Sequence, residues 1–244
     1  MPRARRAAIG GVVYHVLNRA NARRTLFERV EDYEAFERTL VEAHARLPVG
    51  MLAYCVMPNH WHMILRPRAD GDLSEFMRWL TVTHTNRWHA AHGTTGTGHV
   101  YQGRFRSFPV EARRPTAAER RQGVIDAGSS LWAVLRYVER NALRAGLVDR
   151  AEEWRWGSLW RRTFGDAEQR AILSDPSDGW PDDWLKWVNR PQSAEELDAL
   201  RHCIARGRPF GAPAWAERIT EKLGLPTTVR PRGRPRKQPP EQPS

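Results

Sequence analysis

His60-Trp61-His62 places two imidazoles two residues apart. On a strand such residues share a face, so both rings would point one way while Trp61 and Met63 enter the opposite layer. Two neighbouring neutral imidazoles make half of a divalent-metal site. The plain alternative is a pair of ordinary strand histidines. Tyr137 and Asn141 form a second constellation, four apart in a helical pattern and so on one face. Arg136, Arg140 and Arg144 run at the same spacing beside the tyrosine. A tyrosine among arginines is suited to meeting phosphate. Its ordinary pKa is about 10, and nearby cations favour the phenolate needed for attack. A half-buried structural tyrosine is the alternative.

Two further segments could bind rather than react. Gly98-His99-Val100-Tyr101-Gln102-Gly103-Arg104-Phe105-Arg106 mixes aromatics and arginines in a loop entering a strand. Its aromatic faces could stack on unpaired bases while Arg104 meets the backbone, or it is an ordinary loop–strand junction. Near the C-terminus, Arg230, Arg232, Arg234, Arg236 and Lys237 alternate with proline and glycine. Such an extended cationic ribbon fits a minor groove or tracks phosphates. His84, His89 and His92 read as structural, and His15, on the first strand, could support the His60/His62 face from behind. Asp32, Asp70 and Asp72 do not form a carboxylate triad, and neither G-x-x-x-x-G-K-[ST] nor G-x-S-x-G occurs. An ATP-driven motor and a serine hydrolase therefore have no support.

The elements that must position these residues follow from periodicity. Val12–Leu17, Met51–Met57, His60–Leu65 and Arg106–Val110 read as strands, with Pro58-Asn59 as a turn. Tyr33, Phe36, Leu40, Ala43 and Leu47 mark one helix, and Leu73, Met77, Leu80 and His84 a second. Leu131, Leu135, Val138 and Ala142 mark a third, over Leu131–Leu143. The order β-α-β-β-α-β predicts an α+β, ferredoxin-like split βαβ sandwich, an antiparallel sheet with helices on one face. Domain 1–165 would carry the chemistry, interrupted by an exposed loop at 111–130. Residues 166–225 would form a Trp-rich helical extension, and 226–244 a disordered Arg/Pro-rich DNA-binding tail.

Composition sets the bounds. The chain has 244 residues, with 39 Lys+Arg against 28 Asp+Glu and a net charge of +11. Of this, +4 lies in residues 226–244, so the remaining chain is itself basic at +7. A basic body with a basic tail points to a polyanion partner. Of the basic residues 36 are Arg, whose fork suits phosphate and base edges. Coding bias could account for that preference, but not for the excess of positive charge. Cys55 and Cys203 are the two cysteines, too few for a disulfide scaffold or a cysteine zinc site. No apolar run approaches the roughly 20 residues of a membrane span, and no apolar stretch follows basic Met1–Arg6 as in a secretory signal. The expected location is the cytoplasm, in association with the nucleoid.

In order, these segments resemble the REP-associated tyrosine transposases, within the single-tyrosine HUH transposases. The matching stretches begin with Tyr14-His15-Val16-Leu17-Asn18-Arg19 and Tyr54-Cys55-Val56-Met57-Pro58-Asn59-His60-Trp61-His62. Gly103-Arg104-Phe105, Leu135-Arg136-Tyr137-Val138-Glu139-Arg140-Asn141 and Arg144-Ala145-Gly146-Leu147-Val148 follow. Trp156-Gly157-Ser158, Gly207-Arg208-Pro209-Phe210-Gly211 and Gly233-Arg234-Pro235-Arg236-Lys237 complete the set. The resemblance spans about residues 9–238. It implies His60, His62 and Asn141 as ligands of Mg²⁺ or Mn²⁺, and Tyr137 as the nucleophile that forms a 5′-phosphotyrosine. It also implies single-stranded DNA carrying a palindromic hairpin as substrate. Arg104, Arg136, Arg140, Arg144 and the tail cations would contact that DNA. Three departures stand out: Ala142 where the family has proline, the bulky Trp61 between the histidines, and a long connection from Arg113 to Ser130. Monomer and homodimer both remain open. The alternative function is a non-catalytic hairpin-binding protein that regulates or organises repetitive elements. An RNA-binding module would need exposed aromatics on central strands, where this chain offers His60 and His62.

Overall fold

The computed structural model describes residues 8–112, 130–177, 179–225 and 228. The predicted element order is observed. Strand β1 spans Val13–Arg19, helix α1 Val30–Arg46, β2 Gly50–Met57, β3 His60–Arg66, α2 Asp72–Ala91 and β4 Arg106–Val110. All strand pairs are antiparallel, in the order β2-β3-β1-β4. This is the split βαβ arrangement, with β3 and β1 central. The register sets His60 opposite Arg19 and Met57, and His62 opposite Leu17 and Cys55.

Period-2 alternation assigns the two faces. Tyr14, Val16, Tyr54, Val56, Trp61, Met63 and Leu65 pack against α1 and α2. The helical stripes read from sequence supply the other side of this core: Tyr33, Phe36, Leu40 and Ala43 from α1, and Leu73, Met77 and Leu80 from α2. Trp61 and Phe36 are fully buried. Each such side chain contributes about 1.5–3 kcal/mol by leaving water.

The opposite face carries Val13, Cys55, Met57, Ile64, Phe108 and Val110. The split βαβ pattern predicts helices on one face only, but this second face is also covered. Helix α3 (Ser130–Glu139) lies across it, continued after a turn at Arg140 by the short α4 (Asn141–Arg144). Helices α5 (Ser158–Phe164) and α6 (Ala167–Arg170) follow, then α7 (Trp184–Asn189), α8 (Ala194–Arg206) and α9 (Pro213–Lys222). Trp184, Val188, Leu200 and Cys203 of α7 and α8 share one core with Leu131, Val134, Leu135 and Val138 of α3. Helix α3 is thus buried nearly all round, and its outer side, Arg136 included, faces the extension rather than water. Both sheet edges are occupied as well. Beside β2, the Val56 N–H donates to the Trp156 carbonyl; beside β4, the Phe210 N–H donates to the Pro109 carbonyl. Edge groups so paired cannot template aggregation. Most of the 111–130 connection and nearly all of the 226–244 tail, including Arg230, Arg232, Arg234, Arg236 and Lys237, lie outside the described residues. Among the described residues, no helix is long and apolar enough to cross a membrane.

Candidate active site

His60 and His62 open strand β3 and project from its α3-covered face, their ring centroids 5.0 Å apart. Each ring is tied at its back. His60 Nδ1 lies 2.6 Å from Asn59 Oδ1, and His62 Nδ1 lies 2.8 Å from His15 Nε2. Among the described residues neither Nε2 has a hydrogen-bond partner. His15 is the diagonal cross-strand neighbour of His62. It is wholly buried, and among the described residues its own Nδ1 has no partner.

Burial, chiefly, brings the His60 pKa down to about 4, with the Arg19 and Arg144 guanidiniums adding to the effect. His62 is held well below the usual range by burial and by the neighbouring His15 and His60. Burial takes His15 down to about 3. All three rings are therefore neutral at physiological pH, the form in which imidazole ligates.

Tyr137 approaches this pair from α3. Its ring stands edge-on to His62, with centroids 5.8 Å apart, and edge-on to His15 at 6.4 Å. Arg144 caps the ring from above, Cζ lying 4.1 Å from the centroid. The same guanidinium donates to the Tyr137 carbonyl through Nη1 at 3.3 Å and to Asn141 Oδ1 through Nη2. Burial lowers the Arg144 pKa while the facing Tyr137 opposes that shift; a guanidinium in this range keeps its charge. The Asn141 side chain is buried, and among the described residues its Nδ2 has no partner. The i, i+4 relation of Tyr137 to Asn141 survives the turn at Arg140, because Arg140 N still bonds the Arg136 carbonyl and Ala145 N the Asn141 carbonyl.

Does this set suit a divalent cation? The two bare Nε2 atoms do. The Asn141 amide does so in part: its oxygen has a second lone pair beyond the one Arg144 holds. Among the described residues, no group of three or more His, Cys, Asp or Glu side chains is placed to hold a metal. Any ion here would rest on two imidazoles, a neutral amide and oxygens from outside the chain.

Beyond His60, the end of β1 and the start of β4 flank a polar groove of about 360 Å³. It is lined by Asn18, Arg19, Arg23, Gln102, Arg104 and Arg106, with Ile204 of α8 closing one side. Ala22 and Arg23 both adopt left-handed backbone at φ 54° and 57°, which costs about 1–2 kcal/mol per non-glycine residue. The turn is held there by neighbours: Ala20 N–H donates to the Asn59 carbonyl and Asn21 N–H to the Val100 carbonyl. Arg104 is where the sequence places it, exposed at the groove. Arg19, Arg23 and Arg106 are not among the DNA contacts expected from sequence; a strand ending in arginine opposite His60 is the signal that could find them.

Two expectations are corrected. Arg136 and Arg140 have their guanidiniums bonded to backbone carbonyls near the end of α7. Arg136 is 4% exposed and donates to the carbonyls of Arg190 and Pro191, both at 2.8 Å, beneath the ring of Trp187. Arg140 donates to the carbonyls of Val188 and Asn189. These are the orphan carbonyls at the C-terminus of α7, where a cation is favoured. The 98–106 loop does not offer aromatic faces. Tyr101 and Phe105 are buried in the α1/α2 core, where Trp61 Nε1 donates to the Tyr101 hydroxyl, which is hydrogen-bonded in turn to His84 Nδ1. His92 and His89 are structural as expected, His92 stacked on Trp88 and His89 bonded to Thr94.

Residues 8–120 match the family described as IS200-like transposases. The resemblance read from the motifs is borne out at that level. The matched segment contains His60 and His62 and stops before Tyr137 and Asn141. No curated protein matches the chain. Among solved structures, a REP-associated tyrosine transposase bound to a REP hairpin is 20% identical, with a TM-score of 0.46 over 80% of this chain and 96% of the other. A structure from Deinococcus radiodurans R1, provisionally described as a transposase, is 15% identical, with a TM-score of 0.35 over 51% of this chain and 92% of the other.

Proposed function

We propose that the protein is a metal-dependent single-stranded DNA endonuclease and strand transferase, acting at palindromic hairpins through a 5′-phosphotyrosine. The observation that carries this reading is the packing of Tyr137 edge-on against His62, on the face where His60 and His62 leave both Nε2 atoms bare. A pure binding site has no need for that juxtaposition. The match of residues 8–120 to a transposase family supports it. The hairpin rests on the resemblance of the motifs, the tail of Arg230, Arg232, Arg234, Arg236 and Lys237 being suited to grip it.

His60 and His62 through Nε2, with Asn141 Oδ1, would hold Mg²⁺ or Mn²⁺. When bound, the ion supplies Lewis-acid polarisation of the scissile phosphate. Arg144, stacked on the Tyr137 ring and donating to its carbonyl, holds the tyrosine against the histidine pair. The Tyr137 oxygen forms a bond to phosphorus and the P–O3′ bond breaks. The departing 3′ oxygen takes up a proton, and the 5′ phosphate stays on the tyrosine. That link remains a phosphodiester, so attack by a 3′-hydroxyl reverses the step without ATP. Arg19, Arg23, Arg104 and Arg106 would receive the backbone leading to the site.

A non-catalytic hairpin binder is the second reading. It is favoured by one observation, the hold of Arg144 on Asn141 Oδ1, which competes with a metal. Incubating end-labelled single strands that carry the host's palindromic repeats with Mn²⁺ separates the two. Nicking at one position that EDTA abolishes supports the enzyme, whereas tight hairpin binding with uncut strands supports the binder.

A further inference from the structure

His60 and His62 differ in what stands behind them. Behind His62 is another imidazole, which can donate or accept. Behind His60 is the amide of Asn59, in the Pro58-Asn59 turn between β2 and β3, and an amide does not interchange its two ends. Its orientation follows from its other contact. Asn59 Nδ2 lies 3.4 Å from the backbone carbonyl of Arg23, an acceptor only. Were the amide reversed, two carbonyl oxygens would face each other there. Oδ1 therefore faces His60 Nδ1 at 2.6 Å. Amide oxygen carries no proton, so the proton in this bond sits on Nδ1. The left-handed backbone of Ala22 and Arg23 brings the Arg23 carbonyl to this spot, and the Asn59 carbonyl accepts from Ala20 N–H at 2.9 Å. The β1–α1 turn and the β2–β3 turn thus hold the amide between them.

We propose that Asn59 is a positioning residue that fixes His60 as the Nδ1–H tautomer, leaving Nε2 as a bare lone pair directed away from the turn. A free histidine side chain shares its proton between the two nitrogens. Here the choice is made before any ion arrives. The consequence for metal affinity rests on the proposed ligand role of His60; the tautomer itself does not. The strained turn also gains a purpose: its backbone orients the amide that orients the ring.

The test uses the full chain, ¹⁵N-labelled at histidine and free of metal, at pH 7.5. The His60 ring nitrogens report the tautomer directly, assigned by their loss in His60→Gln. The wild type is expected to show a protonated Nδ1 and an unprotonated Nε2. Asn59→Ala is expected to move His60 towards the Nε2–H form, with an unchanged thermal midpoint. Asn59→Asp, whose carboxylate still accepts from Nδ1–H, is expected to retain the wild-type pattern. Mn²⁺ titration followed by its free-ion EPR signal supplies the second readout. Asn59→Ala should bind about tenfold or more weakly, as for other residues that orient a ligand from behind, and Asn59→Asp at least as tightly as wild type. An Nε2–H His60 in the wild type, or a tautomer unmoved in Asn59→Ala, overturns the proposal. If the wild type binds no Mn²⁺ while the tautomer shifts as expected, the proposal stands and the metal-dependent reading falls.

Discussion

His84 offers a prediction whose size follows from its surroundings. Its ring is 2% exposed, stacked on Phe27 and edge-on to Phe36, and its Nδ1 lies 2.7 Å from the Tyr101 hydroxyl. Burial brings its pKa down to about 3, with His92 and Arg87 adding and Asp32 opposing. In the unfolded chain the same group titrates near 6.5. Between those values the unfolded state binds the proton and the folded state does not, so stability falls as pH falls. From pH 7.5 to 5.0 this one ring removes about 2 kcal/mol, at 1.36 kcal/mol per pH unit below 6.5. His84→Gln keeps an acceptor for Tyr101 and does not titrate. Urea denaturation of both proteins at both pH values gives the double difference: wild type should lose about 2 kcal/mol more than His84→Gln. Equal losses, within about 0.5 kcal/mol, would refute the reasoning.

Two buried contacts around the tyrosine helix carry further expectations. Glu139 accepts from Ser158 and from Trp184, both at 2.8 Å, tying the end of α3 to α5 and α7. Glu139→Ala strands both donors and should lower unfolding free energy by about 2–4 kcal/mol in urea; a change under about 1 kcal/mol would mean the network is not formed. Arg136 and Arg104 should behave oppositely. Arg136→Ala leaves two carbonyls unsatisfied and should cost about 2–3 kcal/mol of stability while the salt dependence of DNA binding stays put. Arg104→Ala should leave stability within about 0.5 kcal/mol and reduce the single-strand salt slope by about 0.7; the reverse pattern would restore Arg136 to the DNA surface.

The first two helices are legible because each exposes one face to water, so period 3.6 appears directly in the sequence; the strands, buried on both faces, are marked instead by β-branched and aromatic runs between turn signals. Alternation along β3 still pairs His60 with His62 and sets Trp61 opposite them. What could not be read depends on residues far away in the chain. The outer side of α3 looked polar, yet α7 and α8 cover it, and the carbonyls that bind Arg136 and Arg140 lie about fifty residues downstream. Periodicity measures a helix against water and is silent when a later segment takes water's place. Tyr101 and Phe105 looked available to bases because a loop carries them; Trp61 and His84 draw the first inward. Asn59 had been read only as a turn residue, since its second use depends on where the Arg23 carbonyl falls.

The central claim is that Tyr137 attacks DNA beside His60 and His62. Its most direct test is mass spectrometry of the chain after incubation with Mn²⁺ and a hairpin-bearing single strand, digested to peptides. The account predicts a nucleotide adduct on the peptide containing Tyr137, absent from Tyr137→Phe and from the His60→Ala/His62→Ala double variant. A cut strand with no adduct, or an adduct that persists in Tyr137→Phe, would contradict it.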